Sequence, residues 1–329
     1  MATVPKNIYE QQAQNRRLTF VVLAGFILFV GLLGLGLDMF VFGYSPGGDG
    51  YGLFPLPVAT IGALALGGIG AARSAATGDT AVLASATATP VKDDDPQYRQ
   101  LVNVVEEMSI AAGTKKPHVY VIPDPDPNAF ATGLTPDRAS IAVTQGLVDR
   151  LNREELQAVV AHEMGHIRNL DIRLMTVVAA LIGTVLLISE FGTRMMRFGG
   201  VRSSGGRKSG KDSGGGLGIL MVVWIVALIL APIISQLLAM AVSRQREYLA
   251  DASAAELTRN PLALASALEK IDAAVEPTKA IKKGTAHLCI ADPLGRPANE
   301  REGVAADLFA THPPIAKRVA LLRGMAYQR

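Results

Sequence analysis

The 329 residues are 49% hydrophobic and 19% charged, with 33 glycines and a mean hydropathy of +0.28, whereas soluble enzymes average about a quarter charged residues. This composition excludes a disordered chain and points to helices packed in lipid. A net charge of +3 is too small to argue for nucleic acid, and the single cysteine, Cys289, excludes a disulfide framework and any multi-cysteine metal site.

Residues 18–37 form an uninterrupted apolar run, preceded by Arg16 and Arg17 and closed by Asp38. It is long enough to cross a bilayer as a helix. A secretory signal also begins basic and then turns apolar, but this run is long for one and no clear small-residue cleavage site follows. A second span is predicted over 53–72, ending at Arg73. The loop between the two runs lacks Lys and Arg, while both outer flanks carry them. By the positive-inside rule, the N-terminus and everything after Arg73 then lie in the cytoplasm. Residues 1–76 thus read as a membrane anchor, and the small, polar stretch 77–90 as a linker.

A soluble-looking block extends to residue 171. Residues 172–242 read as an apolar helical hairpin around a Gly/Ser/Arg-rich loop, 194–216, with six Lys and Arg. Trp224 lies in its second helix, and Pro232 predicts a kink there. If both helices span, the basic loop lies against the positive-inside rule. Two spanning helices are the preferred reading, and helices seated partly in the soluble block the alternative. Residues 243–329 are amphipathic and soluble-looking.

The chemistry concentrates in EELQAVVAHEMGHIRNLD, residues 154–171. Apolar positions recur at helical spacing without a proline. His162 and His166, four apart, project from one helical face, so both can reach one zinc ion at about 2.0–2.1 Å. Glu163 points beside the metal, where a carboxylate can hold a zinc-bound water. Gly165 leaves space beside the second histidine. A surface helix carrying two histidines by chance is the competing reading. Catalytic zinc takes three protein ligands plus water, and Glu247, Asp251, Glu256, His287 and His312 are candidates for the third. Glu247 and Asp251 in SRQREYLAD are four apart on one face, which suits one carboxylate on the metal and one holding a ligand imidazole. Most such pairs are solvated helix faces.

AHEMGHIRNLD, SRQREYLAD and FATHPPIAKR occur in this order, preceded by PNAFATG at 127–133. Together they resemble the M48 metallopeptidases, most closely the HtpX-type bacterial membrane heat-shock proteases, over nearly the whole chain. The resemblance implies a mainly α protein with a small β-sheet: an α+β, gluzincin-like zinc peptidase domain attached to transmembrane helices. Its first part would be 77–171, with the HExxH helix, and its second part 243–329, with the third ligand. It implies His162, His166 and Glu247 on one Zn2+ per chain, Glu163 as general base and Asp251 in support. His312 and Arg318 would stabilise an oxyanion or contact substrate; helix-start chemistry is the plainer reading. Asn128, Ala129 and Phe130 would form an edge strand that takes substrate backbone by strand addition, with a core strand as the alternative. The implied substrates are polypeptides, misfolded or damaged membrane proteins cleaved in a stress response. The implied location is the cytoplasmic membrane, multi-pass, with the lipid bilayer as partner, the catalytic domain facing the cytoplasm and homo-oligomerisation left open. The 194–216 insert departs from the pattern in its length and glycine content.

The remaining reactive residues read more plainly. His118 in PHVYVI is expected in a strand without chemistry, His287 and Cys289 in strand packing, and Arg168 and Asp171 in structural roles. The expected reaction is metal-assisted peptide hydrolysis without an acyl-enzyme, because neither Cys289 nor any serine has a recognisable base partner. Two rivals share parts of the pattern. A prenyl-protein-type endoprotease usually encloses its site among more spans. A membrane scaffold or chaperone, whose zinc helix only stabilises the fold, would tolerate loss of Glu163.

Overall fold

The computed structural model describes residues 8–40, 42, 44, 56–179, 181, 244–274, 277–281, 285–293 and 313–326. The loop 194–216, Trp224, Pro232, most of the 172–242 hairpin and His312 lie outside them. The chain divides into two compact units. One comprises Met1–Thr19, Ser74–Ala180 and Leu237–Arg329; the other comprises Phe20–Arg73 and Leu181–Gln236. Residues 8–19, expected in the anchor, thus belong with the unit that carries the HExxH helix.

Helix α1 (Ile8–Phe40) contains an apolar stretch, Asn15–Met39, with a mean hydropathy of 2.7, long enough to cross a bilayer. Helix α2 (Val58–Ser85) follows. The buried Asp38 carboxylate accepts from the Ala59 and Thr60 amides at 2.9 and 2.7 Å and from the Thr60 hydroxyl at 2.7 Å. It thereby satisfies donors that a helix N-terminus otherwise leaves unpaired.

The second apolar helix departs from the 53–72 prediction. It starts at Val58 and continues past Arg73 to Ser85, leaving helical geometry at Thr77 (φ −138, ψ 19). Residues 77–90 are therefore not a linker. Val82, Leu83 and Ala86 pack with Ile122, Phe130, Met175 and Ala179 in one apolar cluster, and Thr89–Pro90 forms strand β1. Burial decides this segment, whose small residues carry little local signal.

Strands β2 (His118–Ile122), β3 (Ala129–Thr132) and β4 (Ser140–Thr144) complete a sheet of order β1-β2-β4-β3. β2 and β4 are parallel; β1 pairs with β2 and β3 with β4 antiparallel. Helices α3 (Arg99–Ala112), α4 (Gln145–Arg150) and α5 (Arg153–Arg168) precede a further helical stretch at 171–179. Helices α6 (Arg244–Thr258), α7 (Pro261–Asp272) and α8 (Ile315–Ala326) follow. The described residues are mainly helical with one small sheet, the expected class. The start of the predicted hairpin, through Met175 and Ala179, packs in the same cluster as Ile122, Phe130 and Ala142 of the sheet.

Candidate active site

Helix α5 starts at a reciprocal cap. The Asn152 side chain accepts from the Glu155 amide at 2.9 Å, and Glu155 Oε2 accepts from the Asn152 amide at 2.9 Å. From there the helix is buried on nearly every side: Val159, Val160, Ala161, Met164 and Ile167 are fully enclosed. His162, Glu163 and His166 are therefore held by the core rather than displayed on a surface, which sets aside the chance surface helix.

Helix α6 crosses α5 at Gly165. A Cβ on Gly165 would stand 3.1 Å from Ser253 Cβ and 3.3 Å from Ala250 Cα. That close approach brings Glu247, one turn before Ala250, and Asp251, just after it, onto the two histidines. His162 Nε2 lies 3.6 Å from Glu247 Oε2, and His166 Nε2 lies 3.4 Å from Glu247 Oε1. The ligand atoms of these three residues all fall within 4.8 Å of one another. Ligands at about 2.0–2.1 Å from one tetrahedral zinc would stand about 3.3 Å apart, so small side-chain movements would close the set. Among the described residues, this is the one such cluster of three.

Each imidazole is held on its far side. His162 Nδ1 lies 3.0 Å from Asp251 Oδ1, and His166 Nδ1 lies 3.3 Å from Asp171 Oδ2. Carboxylates so placed fix the ring orientation and turn Nε2 inward. Asp251 is gripped by Arg318, Nε to Oδ2 at 2.8 Å and Nη2 to Oδ1 at 2.7 Å, while Nη1 donates to the Ile290 carbonyl at 2.8 Å and lies 3.2 Å from Glu247 Oε2. Asp171 also faces Arg246, 3.4 Å from Nε.

The electrostatics fit a cation. Among the described residues, four buried carboxylates (Glu163, Glu247, Asp251, Asp171) face two arginines (Arg318, Arg246); four less two leaves two negative charges, the complement of a divalent ion. Protons otherwise take its place. Burial disfavours a charged imidazole, but the hydrogen bonds of Asp171 and Glu247 outweigh it and push His166 up to about 10. Burial likewise opposes a charged His162, and Asp251 and Glu247 outweigh it there too. His162 Nε2 makes no hydrogen bond of good geometry, which is the state of an atom that awaits a metal. Burial pushes the Glu163 carboxyl up, against the two histidines and the backbone amide of Ala131, which pull it down. A carboxylate moved that way is a stronger proton acceptor.

Three expectations need revision. Arg318 was expected on an oxyanion; instead its fully buried guanidinium is committed to Asp251, Glu247 and the Ile290 carbonyl. The edge of β3 is partly closed: the Ala129 carbonyl accepts from the Ile290 amide at 2.9 Å, and Phe130 bridges Cys289. The buried Asn128 side chain is committed within the fold, donating to the Thr278 hydroxyl and the Ala291 carbonyl. The next outward-facing backbone groups along β3 belong to Ala131, beside Glu163. Finally, Asp171, read as structural from the sequence, contacts the second histidine. No local signal marks it, because Leu170 before it turns the chain through a left-handed conformation (φ 59).

The other reactive residues stay outside the cluster. His118 begins β2 at the surface. His287 meets the Met175 carbonyl at 3.2 Å, and Cys289 is buried.

The chain is similar to known proteins over most of its length. The family model for peptidase family M48 matches residues 96–326. A Protease HtpX homolog of Thermoanaerobacter pseudethanolicus is 41% identical over 320 residues, covering 97% of this chain and 98% of its own. The Protease HtpX homolog of Ligilactobacillus salivarius is 38% identical, covering 97% and 100%. A crystal structure of S. mikatae Ste24p aligns with 94% of this chain and 66% of its own, at 20% identity and a TM-score of 0.47, too distant a likeness to bear on the site.

Proposed function

The chain belongs to peptidase family M48 and is a membrane-bound metalloprotease; from that premise we propose that it is a zinc endopeptidase of the cytoplasmic membrane, multi-pass, with its catalytic unit in the cytoplasm, cleaving misfolded or damaged membrane proteins. The observation that carries this reading is the convergence of His162, His166 and Glu247 beside a buried, proton-accepting Glu163. The basic residues flanking the first apolar helix support the orientation.

His162 Nε2, His166 Nε2 and a Glu247 oxygen would hold the zinc. When bound, the ion supplies a Lewis acid for the scissile carbonyl and acidifies a water. Glu163 takes that water's proton and returns it to the leaving amine. Asp251 and Asp171 keep the imidazoles turned inward, and Arg318 balances Asp251 and Glu247 so that neither carboxylate drifts. Ala131, the next edge position of β3 beyond the Ile290 contact, lies beside Glu163, so a substrate strand that pairs there would set its scissile bond beside the general base.

The test is purified protein in detergent: zinc content by elemental analysis alongside cleavage of fluorescent casein. One zinc per chain, cleavage lost with a chelator and restored by zinc, is expected. Cleavage that survives full metal removal would refute the reading.

A further inference from the structure

Asp171 is shared among three partners, the Arg246 guanidinium at 3.4 Å, His166 and Asn15. Its Oδ2 meets His166 Nδ1 at 3.3 Å, and its Oδ1 accepts from Asn15 Nδ2 at 2.7 Å. The same Asn15 amide donates to the backbone carbonyl of Asn169 at 2.9 Å. Asn15 stands on α1 as the first residue of the stretch Asn15–Met39 and belongs to the same compact unit as the site. It is 6% exposed, whereas the adjacent Arg16 and Arg17 are exposed.

The two residues that Asn15 holds straddle Leu170, whose φ is 59. An L side chain is disfavoured in that region, and leucine lacks the freedom of glycine or the local hydrogen bonding of asparagine. Such a conformation persists where the surroundings over-determine it. Here it turns the chain from the end of α5 into the 171–179 helix and aims Asp171 back at His166. A hydrogen bond on each side of Leu170, both from one amide group, supplies that constraint.

We propose that Asn15 is a positioning residue for the metal ligand His166, acting through Asp171, so that the root of the first apolar helix is built into the metal site. The proposal rests on the reading of His166 as a zinc ligand. Loss of a partner in direct contact with a ligand typically weakens metal binding 10–100-fold, and Asn15, one step further out, is expected to cost about 3–10-fold.

The experiment measures zinc dissociation constants of the full-length protein in detergent, by competition with a fluorescent chelator. The variants are Asn15→Leu, Asp171→Ala, the pair together, and Thr19→Val, a buried neighbour whose hydroxyl donates within α1 to the Asn15 carbonyl. Asn15→Leu should weaken zinc binding by that factor, and Thr19→Val should leave it unchanged. The double variant should bind as Asp171→Ala alone does, because both act through one carboxylate. Leu170→Gly, which adopts the turn freely, should shrink the effect of Asn15→Leu. Wild-type affinity in Asn15→Leu, or losses that multiply in the double variant, would overturn the proposal. If Asn15→Leu does not fold, Asn15→Ser, too short to reach Asp171, takes its place in the same cycle. Wild-type protein that binds no zinc would instead refute the ligand assignment itself, a separate result from intact zinc binding that ignores Asn15.

Discussion

Arg318 and Asp251 form a fully buried fork, two parallel hydrogen bonds of 2.8 and 2.7 Å, and the same aspartate lies 3.0 Å from His162 Nδ1. The arginine therefore acts on the proposed metal ligands from behind. Removing one partner of a buried pair leaves an uncompensated charge and typically costs about 3–5 kcal/mol, so Arg318→Ala should unfold early or fail to accumulate. Arg318→Lys keeps the charge and loses the fork; it should fold and bind zinc about tenfold more weakly. If Arg318→Lys instead keeps wild-type zinc affinity and loses only kcat, the guanidinium works on the substrate, and the arrangement described above is wrong.

Glu163 lies on the ligand helix but off the ligand set, with a carboxylate raised by burial. Glu163→Gln should retain one zinc and lose about 10²–10⁴-fold in casein cleavage, the usual worth of a positioned general base. Paired zinc analysis and kinetics decide this. Appreciable cleavage by the variant would favour a scaffold in which the zinc helix is purely structural.

Gly165 was expected to leave space beside a histidine; it makes room for helix α6. In Gly165→Ala the new methyl meets Ser253 Cβ at 3.1 Å and Ala250 Cα at 3.3 Å. Overpacking of this kind costs about 1–3 kcal/mol, against about 1 kcal/mol gained in helix propensity. Thermal unfolding should show a lower midpoint, and zinc should bind more weakly, because Glu247 and Asp251 flank Ala250. A midpoint above wild type would show that the helices yield easily.

What the sequence makes legible is local. The four-residue spacings of His162–His166 and Glu247–Asp251 fix shared helix faces whatever surrounds them, so the two histidines and Glu163 can be read directly, whereas the third ligand stays open among five candidates until the resemblance points to Glu247. Residues whose meaning depends on distant partners cannot. Asn15 meets Asp171 across 156 residues, and Arg318 meets Asp251 across 67. The helix at 77–85 is shaped by burial against the sheet rather than by its own composition, and β3 reads as a free edge until residues 289–290 are seen to cover part of it.

Glu155 offers a test independent of the metal. Burial favours its neutral form, but the Lys270 ammonium, the Asn152 amide and the Ser266 hydroxyl outweigh that and hold its carboxyl below the usual range. A carboxylate so lowered contributes stability that is full above its unfolded pKa, near 4.3, and is lost as pH falls through the folded value. Lys270 is partly exposed, so the loss in Glu155→Gln should be modest, about 1 kcal/mol at neutral pH. Unfolding midpoints of wild type and variant should converge as pH drops below about 4. A gap independent of pH would assign the loss to packing.

Zinc uptake should be coupled to protons, and the sign follows from the histidines. An imidazole must be neutral to bind zinc, yet hydrogen bonds donated to Asp171 and Glu247 push His166 up to about 10 against its burial, and the Asp251 and Glu247 carboxylates raise His162 too. At neutral pH the metal-free site therefore carries protons that zinc must displace, and its affinity should rise with pH. Each displaced proton contributes about one tenfold step in affinity per pH unit below the pKa, so a slope between about one and two is expected. Calorimetry in buffers of different ionisation enthalpy counts the released protons directly. Asp171→Asn removes the charge that raises His166 and should lower both the slope and the proton count, even as it weakens binding. A zinc affinity flat across the neutral range would mean that the imidazoles are already neutral, and that the buried carboxylates hold the protons instead.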